Sequence, residues 1–182
     1  MVKNKIRIMH IGQMIGGLDV YIRNSVSYAN DKFEYVIVHG KDDKSSPINR
    51  NGKPVKEYMI DLYRQPNIVN DTKAIWEAIC IIKKEKPDII HCHSAKGGFI
   101  GRIAGFLTRT ITAYTPHAFS FLSSGSLVKR KIYLMLERSV KFNSYLLACS
   151  ESEREMGIKE VHYADNHALV WSNSVPDAAK EV

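Results

Sequence analysis

The sequence predicts an α/β fold, a Rossmann-like doubly wound, mostly parallel sheet with helices on both faces. Short runs rich in β-branched residues alternate along the chain with longer amphipathic segments, the pattern of βαβ units wound right-handed into an open sheet. Glycine-bearing turns, Gly12 to Gly17 and Ser94 to Gly101, follow directly on two of those runs. With 182 residues, 45% apolar and 25% charged, the chain is long enough for one substantial core and has the balance of an ordinary globular domain.

Lys5 to Ile11 is Ile-rich and alternates weakly, as a first strand does, and Gly12 to Gly17 is the loop after it. Leu18, Ile22, Val26 and Ala29 recur at helical spacing, and Phe33 to Val38 reads as a second strand. The polar stretch Lys41 to Lys53 carries Ser45-Ser46-Pro47 and Asn51-Gly52 and reads as a mobile loop before a third strand over Val55 to Leu62. Ile75, Ala78, Ile79 and Ile82 make an amphipathic helix of Val69 to Lys86, which Pro87 ends. A strand over Asp88 to His93 runs into a helix reaching Arg109, and a strand at Ile111 to Thr115 precedes a basic helix at Leu127 to Lys141. Ser144 to Ala148 is a short strand, Ser150 to Met156 a helix, and Ala168 to Trp171 the last strand.

No stretch approaches the roughly 20 uninterrupted apolar residues of a membrane span, and Lys3 and Lys5 precede a short strand rather than a secretory segment. The chain therefore reads as cytoplasmic. Cys80, Cys92 and Cys149 are odd in number, lie in apolar runs and form no CxxC, which predicts reduced core thiols. The formal net charge is +7, and eight basic residues against a single acid, Glu137, fall between residues 89 and 150. Five of them, Lys129, Arg130, Lys131, Arg138 and Lys141, lie on or beside one helix, which is either a solvated face or a patch for anionic headgroups, phosphorylated substrates or nucleic acid. Nucleic acid is disfavoured, since the patch lacks interleaved aromatics and no helix-turn-helix or finger pattern appears.

In open α/β sheets ligands gather beyond the carboxyl ends of the strands, where the strand order reverses, so strand-end residues are the candidates. His91 and His93 are two apart on one strand and share a face, with Cys92 on the other. His93 lies nearer the ligand edge, and His91 reads as a structural histidine. A metal on this pair needs a third ligand from elsewhere, and none is expected. His117 ends the next strand segment and is expected beside His93, where an imidazole can hold a substrate hydroxyl or carry a proton near neutral pH. Ser94-Ala95-Lys96-Gly97-Gly98 opens the following helix. Its unpaired N–H groups, its dipole end, the Lys96 charge and two glycines that admit an anion to the backbone suit a phosphate. Gly16-Gly17 makes a tight strand-to-helix turn able to touch a ligand, and Asp19 reads as a first-turn acid. The dinucleotide fingerprint fails, because Met14 stands where a glycine must admit the pyrophosphate and the second strand ends in His39-Gly40 instead of an acid. There is no GxSxG, P-loop, Asp-x-Asp pair or defensible Cys/His dyad, and no cofactor is expected.

Four motifs occur in order: Ile11-Gly12-x-x-x-Gly16-Gly17 with Asp19; His91-x-His93-Ser94-x-Lys96-x-Gly98-x-x-Gly101-Arg102-x-Ala104; Thr115-Pro116-His117-x-Phe119; and Ala148-Cys149-Ser150-x-Ser152-Glu153. From about residue 5 onward the chain resembles the N-terminal half of family 4 retaining glycosyltransferases, most specifically from Asp88 to Phe121. The resemblance implies half of a GT-B architecture, in which two Rossmann-like domains face a cleft and a hexose leaves a nucleotide-sugar donor with retention and without a metal. It implies that Gly16 and Gly17 lie at the donor diphosphate or acceptor loop and that His117 is catalytic, contacting the donor sugar. His93, Ser94, Lys96, Gly97 and Gly98 would form the acceptor side, meeting a glycan or polyprenyl-phosphate-linked acceptor of polysaccharide or glycolipid assembly. The basic helix would then hold the protein at the anionic inner leaflet. Residues 1–175 correspond to the N-terminal domain and 176–182 to the start of the interdomain linker. The donor-binding domain is absent from the sequence, so transfer by this chain alone is not expected. Two further readings stay open: a non-catalytic ligand-binding module, and half of a UDP-sugar 2-epimerase-like enzyme.

Overall fold

A computed structural model describes residues 5–172. The chain runs β1 (Ile6–Ile11), α1 (Gly17–Ser27), β2 (Phe33–Gly40), β3 (Asn49–Arg50), β4 (Lys53–Pro54), β5 (Lys56–Ile60), α2 (Ile68–Glu85), β6 (Ile89–His93), α3 (Ser94–Thr108), β7 (Ile111–Thr115), α4 (Leu127–Ser139), β8 (Tyr145–Ala148), α5 (Glu151–Lys159) and β9 (Ala168–Val170). Seven strands form one sheet in the order β5-β2-β1-β6-β7-β8-β9, with every pairing parallel. From β1 the chain winds outward through β2 and β5, then returns to start again on the other side with β6. The strand order thus reverses between β1 and β6. The expected linker at 176–182 lies outside the described residues.

Alternation along each strand divides the core between the two faces. Met9, Ile11, Ile90, Cys92 and Tyr114 pack with Ala78 and Ile82 of α2 and Ile100 and Ala104 of α3, while Ile37 packs on the opposite face with Tyr21, Ile22 and Val26 of α1. Asn67 caps α2 by accepting from the Asn70 amide at 3.1 Å, and left-handed Lys86 ends it before Pro87.

Glycines let α3 lie directly on the sheet. A Cβ at Gly97 would stand 2.7 Å from the Ile11 carbonyl oxygen, and one at Gly98, Gly101 or Gly105 would run into Tyr114, Cys92 or Thr112. The close approach leaves no room for a side chain at any of these four positions. Arg102 of α3 is 2% exposed, and its guanidinium is held by Glu137 of α4 at 2.8 Å, with the Tyr114 ring centroid 3.9 Å away. Tyr114 donates its hydroxyl to the same carboxylate at 3.0 Å, so one buried acid ties α3, β7 and α4 together.

Two expectations from the sequence need correction. The stretch 41–53 is not simply a mobile loop. It contains the β3–β4 hairpin around Asn51-Gly52, and it is anchored by buried Ile48 and by Arg50, which donates to the carbonyls of Ala29, Asn30 and Phe33. The cysteines are not uniformly core thiols either, since Cys92 is buried but Cys80 is exposed and Cys149 half-buried.

Candidate functional site

The reversal between β1 and β6 brings a row of imidazoles to the α1 side of the sheet. His10 pairs in register with His91, and His93 follows on the same face. His10 Nδ1 lies 2.8 Å from His93 Nε2, His93 Nδ1 lies 3.3 Å from His117 Nε2, and His117 Nδ1 lies 3.6 Å from Cys149 Sγ. His91 reaches the Thr115 hydroxyl at 2.8 Å. Tyr21 of α1 stands edge-on to His93 and His117, with ring centroids 5.5 and 5.1 Å away.

Burial sets the protonation of this row. It lowers His10 to about 4 and drives His91 and His93 well below the ordinary histidine value, their neighbouring imidazoles adding to the effect. His117 is also lowered by burial, opposed by the charge of Glu153. At neutral pH the row therefore consists of neutral rings, each able to donate through one nitrogen and accept through the other.

His117 is held in place by its backbone. His117 and Ala118 both adopt left-handed conformations, with φ of 52° and 77°, which cost on the order of 1–2 kcal/mol per non-glycine residue. Glu153 opposes that cost. Its carboxylate accepts from the Ala118 amide at 2.8 Å and from the Cys149 amide at 2.6 Å, while Ser150 caps α5 by accepting from the Glu153 amide at 3.2 Å. The Ser150-x-x-Glu153 spacing is that of a capping box whose acid reaches beyond its own helix.

Beside His93, α3 begins with Ser94 at φ 57°, and its first turn has neither a side-chain cap nor an acidic residue. The amide ends and dipole expected there are present. The expected charge and glycine roles are not. Lys96 is neutralised by Asp71 of α2 at 2.6 Å, and Gly97 and Gly98 spend their missing side chains on packing against Ile11 and Tyr114 rather than on admitting an anion. Arg102 likewise leaves the basic surface for the core. A pocket of about 440 Å³ opens in front of this turn, lined by Arg64, Asp71, Lys96, Phe99, Tyr133 and Leu136 among others. Gly16 and Gly17 lie exposed at the start of α1 with nothing within 4 Å of a Cβ, Gly16 at φ 59°. Asp43 fixes their loop by accepting from the amides of Met14 at 2.7 Å and Gly40 at 2.9 Å, and Asp19 is occupied by Arg23 at 2.9 Å.

Lys129, Arg130, Lys131 and Arg138 are exposed on α4, with half-buried Lys141 just beyond its end. The same helix also exposes Leu127, Val128, Ile132, Met135 and Leu136 to between 41% and 77%. At 100° per residue, Val128, Ile132, Met135 and Leu136 form one stripe opposite buried Glu137, with Lys131 and Arg138 on one flank and Lys129 on the other.

A Glycosyltransferase Family 4 model matches residues 15–178. The chain belongs to that family. It is 28% identical over 183 aligned residues to the UDP-Gal:alpha-D-GlcNAc-diphosphoundecaprenol alpha-1,3-galactosyltransferase of Escherichia coli, an alignment covering 94% of this chain and 46% of that enzyme. The chain thus spans about half the length of this relative. Among solved structures, sucrose-phosphate synthase of Thermosynechococcus elongatus superimposes with a TM-score of 0.66 at 14% identity, over 92% of this chain and 47% of the other. A UDP-N-acetylglucosamine 2-epimerase from Rickettsia bellii gives 0.62 at 13% identity, over 93% and 45%. Synthase and epimerase share the fold, so the likeness to them bears on architecture alone.

Sequence reading brought His93, His117 and the α3 turn together correctly but missed His10, Glu153, Asp43 and the Cys149–His117 contact. Only Glu153 had a local signal, the Ser-x-x-Glu spacing. The others depend on strand pairing and on a loop without periodicity.

Proposed function

We propose that this chain is the acceptor-side half of a retaining hexosyltransferase, which moves a hexose from a nucleotide-sugar donor to a glycan or polyprenyl-phosphate-linked acceptor in polysaccharide or glycolipid assembly. The observation that carries the reading is the convergence of His93 and His117 with the uncapped start of α3 at the strand-order reversal, in a chain of this family. His117 contacts the donor sugar through the hydrogen-bonding capacity of a neutral ring, and Glu153 and His93 hold that ring in position. The exposed Gly16-Gly17 turn and Ser94 face the ligands across the crevice. Lys96 acts in concert with Asp71, as a paired group that fixes the turn. A second domain supplies the donor site, as the length of the Escherichia coli relative suggests.

The face of α4 docks on an anionic membrane. Its apolar stripe enters the headgroup boundary, and the flanking lysines and arginines meet lipid phosphates, which brings a lipid-linked acceptor to the nearby pocket. In co-sedimentation with phosphatidylglycerol vesicles, both Lys129→Glu/Lys131→Glu and Ile132→Asp/Met135→Asp are expected to weaken binding. The first pair should also lose its salt sensitivity. Unchanged sedimentation of both pairs would remove the membrane from the reading. In a form that carries a donor-binding domain, His117→Ala is expected to lower turnover by about 10² to 10⁴, the reach of a positioned acid, base or hydrogen-bonding group. Near-wild-type turnover would return His117 to a structural role.

A further inference from the structure

We propose that His10, His91 and His93 form a binding site for a borderline divalent transition cation, with zinc as the first candidate. The three side chains come from adjacent parallel strands, two from β6 and one from β1, and point to one face of the sheet. One nitrogen from each lies within 4.8 Å of the other two, and all three residues are buried. Three protein imidazoles with a fourth position left open is a donor set that zinc uses, and imidazole suits cobalt, nickel and copper as well. The sequence offered only the His91/His93 pair. His10 is the third ligand, and strand pairing delivers it.

The orientation of the rings points to a ligand as well. Metal-bound histidines fix their orientation through the nitrogen that does not bind, and here His91 is held by the Thr115 hydroxyl at 2.8 Å and His93 by His117 at 3.3 Å. That leaves Nδ1 of His91 and Nε2 of His93 for a cation, the latter now sharing a hydrogen with His10 Nδ1. His10, 3% exposed, turns Nδ1 toward His93, and its buried Nε2 has no partner. Nδ1 is therefore the His10 atom that would meet the cation, in place of its present contact with His93.

The protonation state agrees. Burial keeps the three rings neutral, the form that binds metal, so protons do not compete at neutral pH. Nitrogens on a tetrahedral zinc lie about 3.3 Å apart, so loading opens the 2.8 Å contact of His10 with His93 by about half an ångström. No carboxylate belongs to the trio, so the cation keeps its positive charge, which favours a water or hydroxide as its fourth ligand. This site does not depend on the transferase reading, and no step of sugar transfer is routed through it.

The test uses the untagged chain, stripped with chelator and titrated with Co²⁺ and then Zn²⁺ at pH 7.5. One equivalent of Co²⁺ is expected to bind with the intense visible bands of a four-coordinate site, and Zn²⁺ should displace it. His10→Asn and His91→Asn should each weaken binding at least tenfold, whereas exposed His162→Asn should not. X-ray absorption of the zinc-loaded wild-type protein should count three imidazole nitrogens, a readout that needs no variant to fold. No stoichiometric cobalt band, fewer than three imidazoles, or full affinity in a folded His10→Asn chain would overturn the proposal.

Discussion

Arg102 shows how a single residue changes meaning when the chain folds. Counted along the sequence it adds to a basic surface, yet its guanidinium is enclosed by Glu137, Tyr114 and the Gly98 carbonyl. Removing one member of a buried pair leaves the other charged without compensation, which typically costs 3–5 kcal/mol, while replacing both by apolar groups of similar volume is often neutral. Glu137→Ala is therefore expected to lose about 3–5 kcal/mol in urea unfolding, and Arg102→Met/Glu137→Leu to recover most of it. Additive losses in the double variant would mean that the two side chains act independently. The pairing could not be read from the sequence, because Glu137 stands 35 positions away and charge counts carry no information on burial. Lys96 was misread for the same reason, its partner Asp71 lying on another helix.

At the scale of elements, the glycines of α1 and α3 look alike in sequence and behave oppositely in the fold. Gly98→Ala places a methyl group in the Tyr114 ring and is expected to destabilise by about 1–3 kcal/mol despite the better helix propensity of alanine. Gly17→Ala meets open space and is expected to leave stability unchanged or slightly raised, so equal thermal shifts for the two variants would refute the packing account. The main helices and strands were legible because their apolar residues repeat at 3.6 or 2. The β3–β4 hairpin had only its Asn51-Gly52 turn as a signal, since two-residue strands have no period and the hairpin is held by Arg50 contacts to carbonyls after α1. The apolar stripe of α4 was present in the sequence but passed unnoticed beside its lysines and arginines. Its exposure follows from which face Glu137 buries.

For the whole molecule, the parallel class was legible from alternation, whereas the order that sets His10 beside His91 was not, because it depends on which strand returns to β1. That order has a thermodynamic consequence. In the unfolded chain each histidine binds its proton near pH 6.5, but in the fold His10 does so only at about 4, and burial holds His91 and His93 well below the ordinary value. Below pH 6.5 the unfolded state therefore holds more protons, and stability falls as pH falls. Burial lowers His117 as well, so four histidines act in this direction, and the slope steepens below pH 6.5 until they begin to protonate in the fold. His39 acts with the opposite sign. The Asp43 carboxylate, 3.7 Å from its ring, leads the effects that raise it, so its contribution is full below pH 6.5 and is lost as pH rises through its folded value. One histidine cannot offset four. Asp61, lowered to about 2 by Lys41 and Lys73, keeps its contribution until the pH falls below the ordinary carboxylate range, outside this window. Urea midpoints measured without metal should thus drop steeply from pH 7 to 5, and His10→Asn should make the drop shallower. A flat profile across that interval would mean that the imidazole row is open to water and already protonates in the folded state.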